Sequence, residues 1–217
     1  MRKLNVKFLL ILLGSFVVVT GGLVLAHHIQ YQRIPQAILD QAARAEKEGD
    51  LKRASLYIGR YLEFVPDDAK QWGRLSWMLA DEKLATSFRS KQRALFVLEK
   101  AVAKDPGRND LRRKAITLAL SLNRLDSARD NLKGLPTDTD ESIGLKASLQ
   151  GRFHEAAKEP RQALQSYLLA ISKTPKVSEN YINAARILRE EQFPGQTAEQ
   201  AKKSQTRNAN QADKQID

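Results

Sequence analysis

Apolar residues cluster in two different patterns along this chain. Phe8 to Ala26 (FLLILLGSFVVVTGGLVLA) is an unbroken run without a charge. From about residue 36 the pattern changes to short amphipathic stripes with helical spacing. Between Gln36 and Ala69, Ile38, Ala42 and Ala45 share one face. After Gly49-Asp50, a second stripe of Leu51, Ala54, Ile58, Tyr61, Leu62 and Val65 follows the 3.6-residue period. Pro66 stops that second helix, because proline has no N–H to continue the ladder. The segment therefore predicts two antiparallel helices joined by a tight turn. No stretch alternates apolar and polar positions long enough to predict a strand.

The hairpin recurs. Ala54, Ala94, Ala128, Ala163 and Ala198 each sit early in a second helix, at separations of 40, 34, 35 and 35 residues. Prolines close second helices at Pro66, Pro106, Pro136 and Pro175. First helices are marked by Trp72, Leu75 and Leu79, by Leu111, Ala115, Leu118 and Leu122, and by Tyr181, Ala184, Ala185 and Leu188. Each hairpin has one apolar stripe to bury and can bury it only against a neighbour, so a stack of repeats is expected.

These residues resemble the tetratricopeptide repeat (TPR) family, whose unit is a pair of helices about 34 residues long. The first repeat matches without a gap: Ala42 at the small position, Gly49-Asp50 at the turn, Ala54 in the second helix, and Pro66 at the end. The fourth offers Gly151, Ala163, Tyr167, Ala170 and Pro175. The second carries extra residues between its helices, around Leu84 to Arg93. In the third, Asn123 replaces the turn glycine and the second helix is cut short at Gly134-Leu135-Pro136. The fold class expected is all-α, an α-solenoid of about four to five TPR-like helix pairs after a single N-terminal transmembrane helix.

The apolar run accounts for the last part of that expectation. Nineteen residues of helix span about 28 Å, close to the hydrocarbon core of a bilayer. Arg2, Lys3 and Lys7 precede it with no acid, which holds residues 1–7 in the cytoplasm and exports the chain beyond Ala26. A cleaved signal peptide is the competing reading, since Val24-Leu25-Ala26 suits signal peptidase; the length of the run favours an anchor. The organisation expected is a basic N-terminus (1–7), an anchor (8–26), a linker (27–34), repeats (35–196) and a polar cap helix with a solvated tail (197–217).

Composition removes several function classes. There is no Cys among the 217 residues, so disulfides, thiolate metal sites and a Cys nucleophile are excluded. His27-His28 lacks a third ligand. Lys158 stands where a zinc motif beginning at His154-Glu155 would need its second His. No phosphate-cradling glycine motif or nucleophile elbow is present, and no carboxylate sits in an apolar stretch. No catalysis, metal or cofactor is expected.

Charge directs attention to one surface. The net charge is +11, and residues 89–133 alone hold 12 Lys and Arg against 5 Asp and Glu. In the TPR family the first helix of each repeat lines a concave groove that binds peptides. Carried over by position, the resemblance implies Lys70, Arg74 and Trp77 in the second repeat, and Arg113, Lys114 and Thr117 in the third. Arg152 follows in the fourth and Arg186 in the fifth. Such a groove suits an acidic segment or a C-terminal carboxylate, because guanidinium pairs bidentately with carboxylate. Solvated surface charge is the competing reading for these cations, and core packing for Trp77. Arg112-Arg113-Lys114 is sequential, so its side chains diverge. Nucleic acid is disfavoured by export and by the lack of aromatics beside the cations. The function expected is a membrane-anchored adaptor with a protein or peptide partner. The alternatives are a structural spacer or self-association module of an envelope assembly, and a shortened member of a longer repeat protein.

Overall fold

The computed structural model describes residues 6–192; within the first helix it describes the side chains of residues 13–16, 18–22 and 34–47. The described residues form nine helices and no strand. They are α1 (Val6–Lys47), α2 (Leu51–Phe64), α3 (Ala69–Leu79), α4 (Phe88–Lys104), α5 (Asn109–Ser121), α6 (Leu125–Lys133), α7 (Asp140–Ala156), α8 (Pro160–Lys173) and α9 (Ser178–Gln192). The chain divides after Lys104 into two compact units. In the first, the C-terminal part of α1 pairs with α2, and α3 pairs with α4. In the second, α5 pairs with α6 and α7 with α8, and α9 packs on α8.

The helix α1 runs for 42 residues, through the expected anchor and through residues 27–34, where a linker was expected. Pro35 lies inside it and removes one backbone hydrogen bond without ending the helix. Most side chains of the anchor 8–26, together with His27 and His28, lie outside the described set. Among the residues searched, no helix is long and apolar enough to cross a membrane. The cap helix and tail expected over 197–217 lie outside the described residues.

The repeating alanines sit at the helix contacts. Ala54, Ala94, Ala128 and Ala163 have no exposed surface. A methyl group there lets paired helices approach closely, and larger residues fill the layers between them. In the first unit Ala42, Ala45, Ile58, Leu62, Leu75, Met78 and Val97 form one cluster with Ala54, against which Trp72 and Leu79 pack half-buried. Burying a side chain such as Ile58 completely is worth about 1.5–3 kcal/mol. In the second unit Ala163, Tyr167, Ala184 and Ile187 make a smaller cluster.

Three of the four described hairpin turns share one device. Gly49, Asn123 and Lys158 all adopt positive φ, at 77°, 53° and 61°. Glycine takes this left-handed conformation without strain and asparagine tolerates it, whereas lysine does not favour it. The degenerate turn at Asn123 is therefore geometrically the same turn. Helix starts are secured locally. The Asp50 side chain accepts from the Arg53 amide at 2.9 Å, and the Asp68 side chain from the Gln71 amide at 3.0 Å. Thr139 and Ser142 form a reciprocal capping box, and Ser87 and Ser90 exchange the same two bonds ahead of α4. Each such cap is worth about 1 kcal/mol.

Candidate functional site

In the first unit the three groove candidates lie on α3 and have different environments. Lys70 is exposed, and Trp77 is 49% exposed rather than packed in the core. Arg74 turns back onto α1: its Nε donates to Glu46 Oε1 at 2.7 Å, its Nη2 pairs with Glu46 Oε2, and its Nη1 reaches Gln71 Oε1. Its charge is thus taken up within the unit.

In the second unit, first helices α5, α7 and α9 enclose a cleft of about 530 Å³. Thr117 and Arg152 line it, with Glu155, Tyr167, Glu179 and Asn183. Arg186 stands beside it and pairs through Nη2 with Glu155 Oε2. Arg113 is exposed and Lys114 half-buried on α5, and neither lines the cleft. Arg152 makes no ion pair among the described residues. The cleft's charge is balanced: Glu155 neutralises Arg186, and Glu179 is set against Arg152.

The floor of the cleft is a buried tyrosine. The Tyr167 side chain has no exposed surface because Gly151 on α7 leaves room for its ring; a methyl group on Gly151 would lie 2.6 Å from it. Burial, followed by the facing Glu155 carboxylate, pushes the Tyr167 hydroxyl far above the usual phenol range, so it stays protonated. The hydroxyl and Glu155 Oε1 are both buried, and the phenol O–H faces that carboxylate. The open polar group of the site is therefore the Arg152 guanidinium, with Thr117, Glu179 and Asn183 beside it.

Of the candidates taken from sequence offsets, Thr117 and Arg152 line this cleft; Glu155, Tyr167 and Asn183 line it too and were not among them. Tyr167 was visible only as a core position of a second helix. Glu155 was visible only as part of an incomplete zinc motif, and its partner is 31 residues away. Many cations of the basic stretch are also engaged. Lys104 pairs with Asp67, Arg108 with Asp110, Arg129 with Asp126, and Lys133 with Asp130. The Arg112 Nη2 donates to the Pro106 carbonyl, and its guanidinium covers Gly134. His154 meets Glu159, with Nδ1 2.7 Å from Oε2.

The chain matches no family model and no curated protein sequence. Solved structures with a similar fold include a MamA protein at 16% identity and a TM-score of 0.57, with 82% of this chain and 94% of that one covered. MamA from Desulfovibrio magneticus RS-1 aligns at 12% identity and 0.57, covering 82% and 96%. YrrB, described as a TPR protein with an unusual peptide-binding site, aligns at 14% identity and 0.52, covering 73% and 78%. At these identities the likeness is one of fold, and it agrees with the alanine register and the turns: the chain has the all-helical fold of a tetratricopeptide repeat protein.

Proposed function

We propose that this protein is a membrane-anchored scaffold that displays its helical repeats on the non-cytoplasmic side and binds a segment of another protein. The observation that carries the binding reading is the second-unit cleft. There the Arg152 guanidinium, which makes no ion pair among the described residues, offers its donors to a carboxylate. An acidic side chain or a C-terminal carboxylate supplies that partner. Arg74 and Arg186 play no part in this contact, because each is committed to a glutamate.

Anchoring rests on the uncharged run from Phe8 to Ala26 behind three cations, and on the unbroken helix that carries it. In that reading the repeats hang directly from the anchor through a helical connection. Alkaline carbonate should leave the chain in the membrane pellet, and protease added to sealed spheroplasts should reach residues beyond 35.

The binding test is affinity capture from detergent-solubilised membranes. Wild type, Arg152→Glu and Arg113→Glu are compared, with mass spectrometry of the retained proteins. The scaffold reading expects one protein to be lost with Arg152→Glu and kept with Arg113→Glu. Capture unchanged by Arg152→Glu would sink the cleft as its site. Recovery of the chain alone would favour a spacer.

A further inference from the structure

The outward faces of α2 and α4 repeat one arrangement of charge. Counted from the buried alanine of each helix, Arg53, Leu56 and Arg60 on α2 stand where Arg93, Phe96 and Lys100 stand on α4. All six are exposed, Leu56 by 52% and Phe96 by 56%. Each helix thus holds a large apolar residue between two cations. The second unit does not repeat this. Its equivalent positions are Ser127, Asp130 and Gly134 at α6, and Gln162, Gln165 and Leu169 on α8.

The two faces share one side of the first unit. Residues Ala54, Ile58 and Leu62 of α2 and Val97 of α4 pack in the same core cluster. Lys104 at the end of α4 pairs with Asp67 just beyond the end of α2, so the two helices end side by side. At 100° per residue, Arg89, Arg93, Phe96, Lys100 and Lys104 fall within an arc of about 80° on α4 that contains no acid. Glu99 lies half-buried outside that arc, and on α2 Lys52 and Glu63 flank the triplet. Arg53 meets Glu48 at 3.3 Å, whereas Arg60, Arg89, Arg93 and Lys100 make no ion pair among the described residues. The Lys100 Nζ stands 4.9 Å from the centre of the Phe96 ring.

We propose that this side of the first unit lies on the surface of an anionic bilayer. Leu56 and Phe96 dip among the headgroups, and the flanking cations meet lipid phosphates. Burial of the apolar tips and attraction of the basic residues to anionic lipid then act together. The unpaired cations stand in rows on exposed helix faces, which suits headgroups free to move laterally. Leu56 has no ring to stack on a base, which disfavours a nucleic acid. The proposal is independent of the second-unit cleft and rests on the anchoring reading for its membrane. The helix α1 joins the anchor to this same unit, and Pro35 leaves it one backbone hydrogen bond short, where a helix bends most readily.

The chain has no Cys, so one introduced cysteine carries a fluorophore: Ala103→Cys, exposed on α4 beside the triplet, or Lys70→Cys on α3. The full chain is placed in nanodiscs of phosphatidylcholine, alone or mixed with phosphatidylglycerol, with a nitroxide lipid as quencher. Quenching at Ala103→Cys should be at least twofold stronger in the anionic discs, and quenching at Lys70→Cys the same in both. Arg60→Glu/Arg93→Glu should abolish the difference with the circular dichroism unchanged, as should high salt, whereas Arg113→Glu should preserve it. Equal quenching in the two lipids overturns the proposal, as does a gain that survives the double reversal or appears equally at Lys70→Cys. No gain with lipid, but a rise in label anisotropy on adding polyglutamate or an oligonucleotide, also overturns it and assigns the face to an acidic protein or a nucleic acid. A chain that does not enter the discs refutes the anchor alone; the label is then read against added vesicles of the same lipids, where the same outcomes decide.

Discussion

Glu155 on α7 holds the Arg186 guanidinium of α9 in an ion pair, and Glu46 on α1 holds Arg74 of α3 in the same way. Each glutamate lies three residues before the left-handed turn residue of its hairpin, Lys158 or Gly49. Both pairs tie a first helix to the first helix of the next hairpin. They convert two cations of the expected groove into braces. A double-mutant cycle with Glu155→Ala and Arg186→Ala should give a coupling of about 0.5–1 kcal/mol, because both side chains keep part of their exposure. Coupling near zero would make the pair incidental. Both tryptophans lie in the first unit, so amide exchange in α7 and α9 is the appropriate readout.

Two glycines of the second unit should respond differently to alanine. A methyl on Gly151 meets the ring of Tyr167, which is fully buried and cannot move aside. Gly151→Ala should cost about 1–3 kcal/mol. A methyl on Gly134 meets the guanidinium end of Arg112, which can swing into solvent. Gly134→Ala should therefore fall within about 0.5 kcal/mol of wild type. Equal losses in urea unfolding followed by circular dichroism would contradict this account of the α7–α8 contact.

Backbone strain at the turns is removable. Lys158 holds φ at 61° with an unbranched but bulky side chain that gains nothing from that conformation. Lys158→Gly should raise stability by about 0.5 kcal/mol, the relief of left-handed strain offset by the freedom glycine gains when unfolded. Asn123→Gly should gain less, since asparagine tolerates φ of 53°. A loss at Lys158→Gly in the urea midpoint would show that its side chain makes a contact the turn depends on.

Stability should fall in acid partly through Asp110. Its hydrogen bond from Arg108, and the Arg108 charge, hold its carboxyl below the usual range against some desolvation. A carboxyl lowered in the folded state stabilises above its unfolded pKa, about 3.9, and loses that contribution as pH falls through the lower folded value. Asp110→Asn should cost about 0.2–1 kcal/mol at pH 7, limited by the exposure of both partners. The difference from wild type should close below about pH 3. A gap that persists there would mean the bond does not depend on charge.

The repeat architecture was legible because its physics is local. Gly49, Pro66 and the cap at Asp50 act within a few residues, and alanines at 54, 94, 128 and 163 recur at fixed spacing. Even the degenerate turn at Asn123 could be placed, since asparagine is one of the residues that accepts left-handed backbone. Of the residues selected by the family offsets, Thr117 and Arg152 line one cleft. They could not show that Arg74 and Arg186 were engaged, because the partners lie 28 and 31 residues away on neighbouring helices. Trp77, which the offsets select, is 49% exposed, and Trp72, read as part of the apolar stripe, is half-buried and donates from Nε1 to the Pro66 carbonyl at 2.8 Å.

By itself the sequence determined the helical period, the hairpin turns, the alanine register and an uncharged run long enough to span a bilayer. All of these are written in spacing and in single-residue conformational preference. Tertiary structure decided which cations keep an open charge and that Tyr167 lies buried beneath the cleft with its hydroxyl facing Glu155. Those properties depend on distances between helices, and residue spacing along one helix does not encode them.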